Sequence, residues 1–406
     1  MGKFTDMGQW LKDQLAKNRV VESQLMIQAL SGLRVLDLSR ILAGPFATQV
    51  LSDLGADVVK VEPAWGDDTR NWGPPFVDLR GSSTSAYFAS CNRGKRSIVL
   101  DLKNTEDVGT MKSLISQADV LVENFRVGTL ARMGFDPEEL MKDYPGLIVC
   151  SITGFGQSGP RAKEAGYDVA LQGMSGLMSI TGIENGPPVK VGVAWIDVLT
   201  GWTAVSGILT ALYHRERTGD GQWIDLSLFD VALMSMVNQA QNWLATGDSP
   251  RRMGHAHPNI VPYQAFEGSN GWFILATGND TQHQLVCEMI GRIDLCEPPY
   301  DTNAGRLEYR SKIISSLAEV FLQSPIEDWL SQLKERGVPC APIYSIGKAF
   351  ADNQAKARGA IWELSDGSSS VANALRFMSA TPAFANGLIP SLDEHRDEIL
   401  RDWSTK

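Results

Sequence analysis

An α/β fold, with a parallel sheet in a large domain and a smaller α+β second domain, is what this chain predicts. Three features predict it. Short runs rich in Val, Ile and Leu alternate with helical segments from residue 33 to residue 152. That alternation spells βαβ units, whose crossovers make neighbouring strands parallel. The chain has 406 residues, beyond the size at which one hydrophobic core keeps growing. Its composition also shifts over 245–270 toward Gly, Pro, Asn and His. The expected division is an N-terminal helical extension at 1–30, a large domain from 31–221, a small domain at 222–335 and a return at 336–406.

Residues 7–30 carry Trp10, Leu11, Leu15, Val20 and Leu25 among mixed charges, which suits an amphipathic helix. Leu33–Leu38 reads as a buried strand and Ala43–Leu54 as the helix after it. Ala56–Glu62 is the second strand. Residues 63–90, rich in Gly, Pro, Ser and Asp, read as a long functional loop. Ser97–Asp101 is the third strand, with a helix over Thr105–Gln117. Asp119–Glu123 is the fourth, a helix covers 128–142, and Leu147–Ile152 is the fifth. A buried helix is expected over 197–216, where Gly201, Ala204, Gly207 and Ala211 would let another backbone come close. Gln222–Leu228 reads as a strand, Phe229–Leu244 as a helix, and Val338–Ile343 as the Pro-marked return to the large domain.

The charge balance bounds the partners. A net charge of −10 argues against a surface that coats nucleic acid. No apolar run is expected to reach the roughly 20 residues that cross a bilayer, so no membrane partner is expected. Asp6, Asp13 and Glu22 disfavour a transit peptide, and Asp6 stands where a myristoylation signal needs Ser or Thr. Cys91, Cys150, Cys287, Cys296 and Cys340 are scattered, with no pair at metal-ligand spacing. Reduced thiols in a cytoplasmic compartment follow, or a mitochondrial matrix in a eukaryote. His255 and His257 form a near pair without further ligands close by, so no metal site is expected.

Three signatures are missing. The turn Asp37–Pro45 lacks G-x-G-x-x-G, and the chain has neither a P-loop nor a G-x-S-x-G elbow. Chemistry must therefore come from ordinary side chains, with no permanently bound cofactor. Ligands of parallel sheets bind beyond the carboxyl ends of the strands. Here those ends offer Arg40, Glu62, Lys103, Asn124 and Arg126. Asn92-Arg93-Gly94-Lys95-Arg96 concentrates cations before the third strand. Guanidinium and ammonium groups so placed suit phosphate oxygens. Asp168 follows Gly166 and Tyr167 at the expected start of a helix. It is open to two readings, a helix N-cap or an ionised nucleophile for acyl transfer. Gly154 and Gly156 are either a plain turn or donors to a developing oxyanion.

Taken in order, these segments resemble the class III coenzyme A-transferases, the group that includes formyl-CoA:oxalate and carnitine CoA-transferases. The resemblance rests on Ala43-Gly44-Pro45, Leu54–Glu62, Asn92–Ile98, Val122–Phe125, Gly154–Pro160, Gly166-Tyr167-Asp168, His214–Gly219 and Glu394-His395. It implies a Rossmann-like large domain, an interlocked homodimer, and acyl-CoA and carboxylate substrates. It implies further that Asp168 forms an anhydride and then an aspartyl-CoA thioester, with Gly154 and Gly156 beside it. The CoA contacts it implies are Arg40, Ile41, Leu42, Arg70, Asn92, Lys95, Arg96, Lys103, Asn124 and Arg126. Many relatives have Arg after the strand-ending Glu, whereas Glu62 is followed by Pro63, and Arg70 is the candidate replacement. Gly66–Arg70, Trp72–Phe76 and Gly254–Gln264 are similar to the succinyl-CoA:glutarate branch. That makes small dicarboxylates the expected acids, with Arg40, Arg70 and His255 as candidates for the distal carboxylate.

Two alternatives remain at this point. An α-methylacyl-CoA racemase shares the fold, and Asp197 stands where its second acid would be. Tyr167 replaces its His, however, and a phenol with a pKa near 10 is a poor base. The other alternative is a CoA-binding protein without turnover. Adducts at Asp168 after incubation with succinyl-CoA and hydroxylamine separate it from a transferase.

Overall fold

The computed structural model describes residues 28–376 and 387–403. Within them, one unit runs to Asp168 and resumes over Ala194–Val231 and from Gly359; the other comprises Val169–Val193 and Ala232–Arg358. The expected N-terminal extension falls, up to residue 27, outside the described residues.

The first unit is built on six parallel strands: β1 (Arg34–Asp37), β2 (Asp57–Glu62), β3 (Arg96–Val99), β4 (Val120–Glu123), β5 (Ile148–Thr153) and β6 (Trp223–Ser227). Their spatial order is β3-β2-β1-β4-β5-β6. Leu36 of β1 stands opposite Val59 of β2 and Leu121 of β4. Central strands such as β4 and β5 are buried along their whole length. Burial on both faces is why they read as unbroken apolar runs. The strand order reverses between β1 and β4, and that switch point is where an open α/β sheet leaves a crevice.

Helix α1 (Ala43–Asp53) follows β1, and α2 (Thr105–Ile115) follows β3. Asn104 caps α2 by accepting from Glu106 N, and Glu106 and Asp107 complement its first turn. The first turn of α3 (Asp168–Met174) opens at Asp168, and α4 (Trp195–Thr218) stops at Gly219, whose φ is +86°. A Cβ on Gly201 would sit 2.9 Å from Ala43 O and 2.7 Å from the Phe46 ring. That is the close backbone approach the small residues predict, here between α4 and α1. By length and composition α4 is apolar enough to cross a membrane, contrary to the expectation that no segment is. Its buried residues, among them Ile196, Thr200, Ala204, Ile208 and Ala211, form one stripe, as in a helix laid on a core.

The second unit holds an antiparallel sheet in the order β9-β8-β7, made of β7 (Tyr263–Gly268), β8 (Gly271–Ala276) and β9 (Cys340–Pro342). It packs with α5 (Asp280–Met289), α6 (Arg310–Phe321) and α7 (Ile326–Glu335). Phe321 centres this core, edge-on to Phe266, Phe273 and Trp329 at 5.1, 5.2 and 5.3 Å.

Several expected boundaries move. Residues 222–227 do not begin the small domain, because β6 pairs with β5 in the large sheet. Val338–Ile343 does not return to the large unit, because β9 pairs with β8; the return comes at Gly359. The 63–90 segment is not a structureless loop. It contains a 3-10 turn (Asp68–Asn71), a hairpin (Phe76–Leu79 with Ser82–Ser85) and a short helix (Ala86–Ala89). The 128–142 helix is two, Thr129–Arg132 and Pro137–Asp143, and the 229–244 helix breaks into Leu228–Met234 and Val237–Thr246.

Candidate active site

A cavity of about 330 Å³ opens at the β1/β4 switch point of the first unit. Its wall is made by the turns after β1, β4 and β5 together with the segment that ends in Asp168. Of the candidate residues, Arg40, Ile41, Leu42, Asn124, Arg126, Gly154 and Asp168 line it.

The turn after β1 is held by a buried polar scaffold. Lys60 Nζ donates to Ser39 O at 2.8 Å and pairs with Asp67 at 3.0 Å. Asp67 in turn accepts the Ile41 N–H at 3.3 Å. Ile41 has φ +74°, a costly conformation for a β-branched residue that its surroundings must enforce. Asn124 locks the same turn from the other side. Its Oδ1 accepts from Arg40 N at 2.8 Å, and its Nδ2 donates to Arg40 O at 2.7 Å. Asn124 is thus a brace between two turns. Leu42 gives α1 no side-chain cap, and Leu42 and Ala43 line the cavity. The opening N–H groups of a helix favour an anion there. Arg40 reaches Asp68 at 3.3 Å on the exposed side.

Asp168 is the first residue of α3, yet the hydrogen bonds that fix it come from another helix. Its Oδ1 accepts from Ile196 N at 2.8 Å and from Asp197 N at 3.3 Å, at the N-terminus of the 24-residue α4. Two N–H groups and a helix dipole therefore converge on one carboxylate oxygen. Gly154 and Gly166 make this placement possible. A Cβ on Gly154 would stand 2.6 Å from Gly166 Cα, so a side chain there would push the Asp168 segment away. Asp197 also lines the cavity. Burial, and then the neighbouring Asp168 charge, raise its carboxyl to about 7. Burial and the carboxylates of Asp197 and Asp168 push the Tyr87 phenol up as well.

The other candidates do not line that wall. Gly156 N donates to Thr153 Oγ1 at 2.9 Å, and Gly156 is absent from the cavity wall; it serves the turn. Arg70 makes a two-pronged pair with Glu62, at 2.8 and 2.7 Å, and lies over the Phe88 ring. Lys95 is buried on Asp37, Pro45 O and Asn92. Asn92 is likewise buried, donating to Phe88 O. Arg96 is paired with Asp57 and Asp402. Lys103 is exposed and off the wall. His255 belongs to the second unit, exposed, with its ring 5.8 Å from Trp272. Sequence reasoning missed the Ile196 and Asp197 N–H groups, since a bond spanning 28 residues leaves no local trace.

The sequence pattern of CoA-transferase family III matches residues 30–396. The chain is 45% identical over 383 residues to a succinate–glutarate CoA-transferase of Agrobacterium fabrum, covering 93% of this chain and 96% of that one. It is 42% identical over 340 residues to the succinyl-CoA:glutarate CoA-transferase of Mus musculus, covering 83% of this chain and 77% of the relative. A crystal structure of a CAIB/BAIF family protein from Brucella suis superposes with a TM-score of 0.84 at 45% identity, over 92% of this chain and 99% of that one. With the family pattern spanning the chain and relatives matched over most of their length, this protein is an enzyme that belongs to CoA-transferase family III.

Proposed function

We propose that this enzyme moves coenzyme A from succinyl-CoA to a small dicarboxylic acid, with Asp168 as the covalent carrier. The observation that carries this reading is the Asp168 carboxylate on a cavity wall, one oxygen gripped by two backbone N–H groups. The substrates named for the relatives support the choice of acids.

Four displacements complete a cycle. Asp168 attacks the donor thioester carbonyl, giving a mixed anhydride and CoA thiolate. The thiolate attacks the aspartyl carbonyl, releasing succinate and leaving an aspartyl-CoA thioester. The acceptor carboxylate attacks that thioester, giving a second anhydride and thiolate. The thiolate then takes the acceptor acyl group and frees Asp168. No ATP is consumed, in keeping with a chain that has no P-loop. In the second and third steps the aspartyl oxygen becomes an oxyanion. The Ile196 and Asp197 N–H groups already point at that oxygen, so they stabilise its charge without rearranging. A panel of acyl-CoA donors against dicarboxylates tests the substrate reading. The highest kcat/KM is expected with succinyl-CoA and a small dicarboxylate, and preference for a monocarboxylate would overturn it.

Arg126 is exposed on the wall and is the cation we assign to the CoA phosphates, with the uncapped start of α1. Arg126→Ala is expected to raise KM for acyl-CoA about 10- to 100-fold, the worth of one charged hydrogen bond. The same variant should leave kcat nearly unchanged, and an unchanged KM would remove Arg126 from the site. Asp197 gives a pH test. Below about 7 its carboxyl is neutral; above, it ionises beside Asp168 and repels anionic acids. The expected kcat/KM therefore declines as pH rises through that value. Asp197→Asn stays neutral and should lose the decline, whereas a flat wild-type profile across the neutral range would count against it.

The homodimer, interlocked as the resemblance implies, is part of this proposal. Tyr213 and Leu209 on α4, and separately Val237, Trp243 and Leu244 in the second unit, are large exposed apolar groups that a second copy would cover. Light scattering at twice the chain mass is the expected result. A cytoplasmic or matrix location is supported by five free thiols.

A further inference from the structure

We propose that His283, Cys287 and Cys296, in the second unit, form a zinc site. His283 and Cys287 stand one turn apart on α5, so both face the same side. Cys296 comes from the 3-10 turn Ile293–Cys296 that packs on that helix. One donor atom from each residue lies within 4.8 Å of the others. Tetrahedral zinc, with bonds of about 2.0 Å to nitrogen and 2.3 Å to sulfur, needs donors about 3.6 Å apart. Cys287 Sγ is 4.0 Å from Nδ1 of His283 and 3.5 Å from its Nε2, so a small closing movement brings Sγ and Nδ1 to that spacing.

The second observation is what His283 does with its other nitrogen. Nε2 lies 2.8 Å from Leu295 O, which can only accept, so Nε2 carries the proton. Nδ1 is then the lone-pair nitrogen. A ligating His that donates its remote N–H to a backbone carbonyl is the usual way a metal site fixes its imidazole.

Donor type and charge suit zinc, which takes thiolate and imidazole ligands. Two thiolates, a neutral imidazole and a divalent cation sum to zero, which a buried site tolerates. Binding releases the two thiol protons to solvent. Cys296 is only half-buried, so a water can take the fourth position. The nearby Arg306 does not compete, since it is held by Asp280 and the carbonyls of Val261, Tyr300 and Asp301. The His-x3-Cys-x8-Cys spacing escapes a local search because the third donor crosses an element boundary.

The test uses the full chain, purified metal-free and checked by circular dichroism. Zinc sulfate is titrated against a chromophoric chelator, and bound zinc is counted by mass spectrometry. One zinc per chain is expected, with about two protons released. Cobalt substitution should give a thiolate-to-metal charge-transfer band. Cys296→Ser, at the half-exposed position, should weaken binding about 100-fold or more, while Cys340→Ser leaves it unchanged. Zinc should also protect Cys296 from maleimide. Failure of the folded wild type to hold zinc, or equal affinity in Cys296→Ser, overturns the site and leaves a plain thiol pair.

Discussion

Asp168→Ala is expected to lower transfer by about 10⁴-fold or more, the scale on which enzymes lose a covalent nucleophile, while CoA affinity stays within about threefold. The separation of the two effects follows from the wall of the cavity. The cation and helix start assigned to CoA, Arg126 and Leu42-Ala43, are other residues of the same wall, and the substitution leaves them in place. Asp168→Glu is the sharper variant. It keeps the charge but lengthens the side chain by one carbon, carrying the oxygen away from the Ile196 and Asp197 N–H groups. Misplacement by about 1 Å costs about 100-fold, so this variant should fall between wild type and Ala. Mass spectrometry after incubation with succinyl-CoA and hydroxylamine should find the adduct on Asp168 in the wild type alone. Turnover surviving in Asp168→Ala would refute the covalent cycle, whatever the substrate.

Much of this was legible in the sequence, and the pattern of misses has a physical cause. The parallel sheet was legible because both faces of β1, β4 and β5 are buried, so each strand is a continuous apolar run. The switch-point residues were legible because they follow those runs directly: Arg40 after β1, Asn124 and Arg126 after β4. Asp168 stood out through Gly166. The cations near β3 misled. Lys95, Arg96 and Arg70 look like phosphate ligands in a local window. Their partners Asp37, Asp57 and Glu62 lie up to 58 residues away, and only the fold reveals that those charges are spent. The early small-domain boundary failed for a related reason. β6 joins the large sheet after the long α4 crossover, and no composition change marks that return.

Those misread cations carry the second large effect. Lys95 and Asp37 are both fully buried and 2.9 Å apart. Asp37 also accepts from the hydroxyls of Ser39 and Thr48. Burial alone would push its carboxyl up; Lys95, Lys60 and the two hydroxyls more than offset that and hold it at about 2. Removing Lys95 strips the buried Asp37 carboxylate of the cation paired with it, at a cost of up to about 3–5 kcal/mol. Lys95→Met should therefore unfold at markedly lower denaturant or temperature. The double variant Lys95→Met/Asp37→Leu, which removes both charges, should recover part of the loss, since Lys60 keeps Asp67 while Ser39 and Thr48 lose their acceptor. The sign with pH is fixed by the depressed carboxyl. Stability from Asp37 is fully present above its unfolded value of 3.8 and drains away as pH falls toward about 2. Acid should thus destabilise the wild type more steeply than the double variant over that window. The same change should reach the cavity, because Ser39 links Asp37 to Lys60 and so to the strained turn at Ile41. A Lys95→Met protein as stable as wild type would mean the buried pair is already neutral, and the scaffold account of the β1 turn would fall with it.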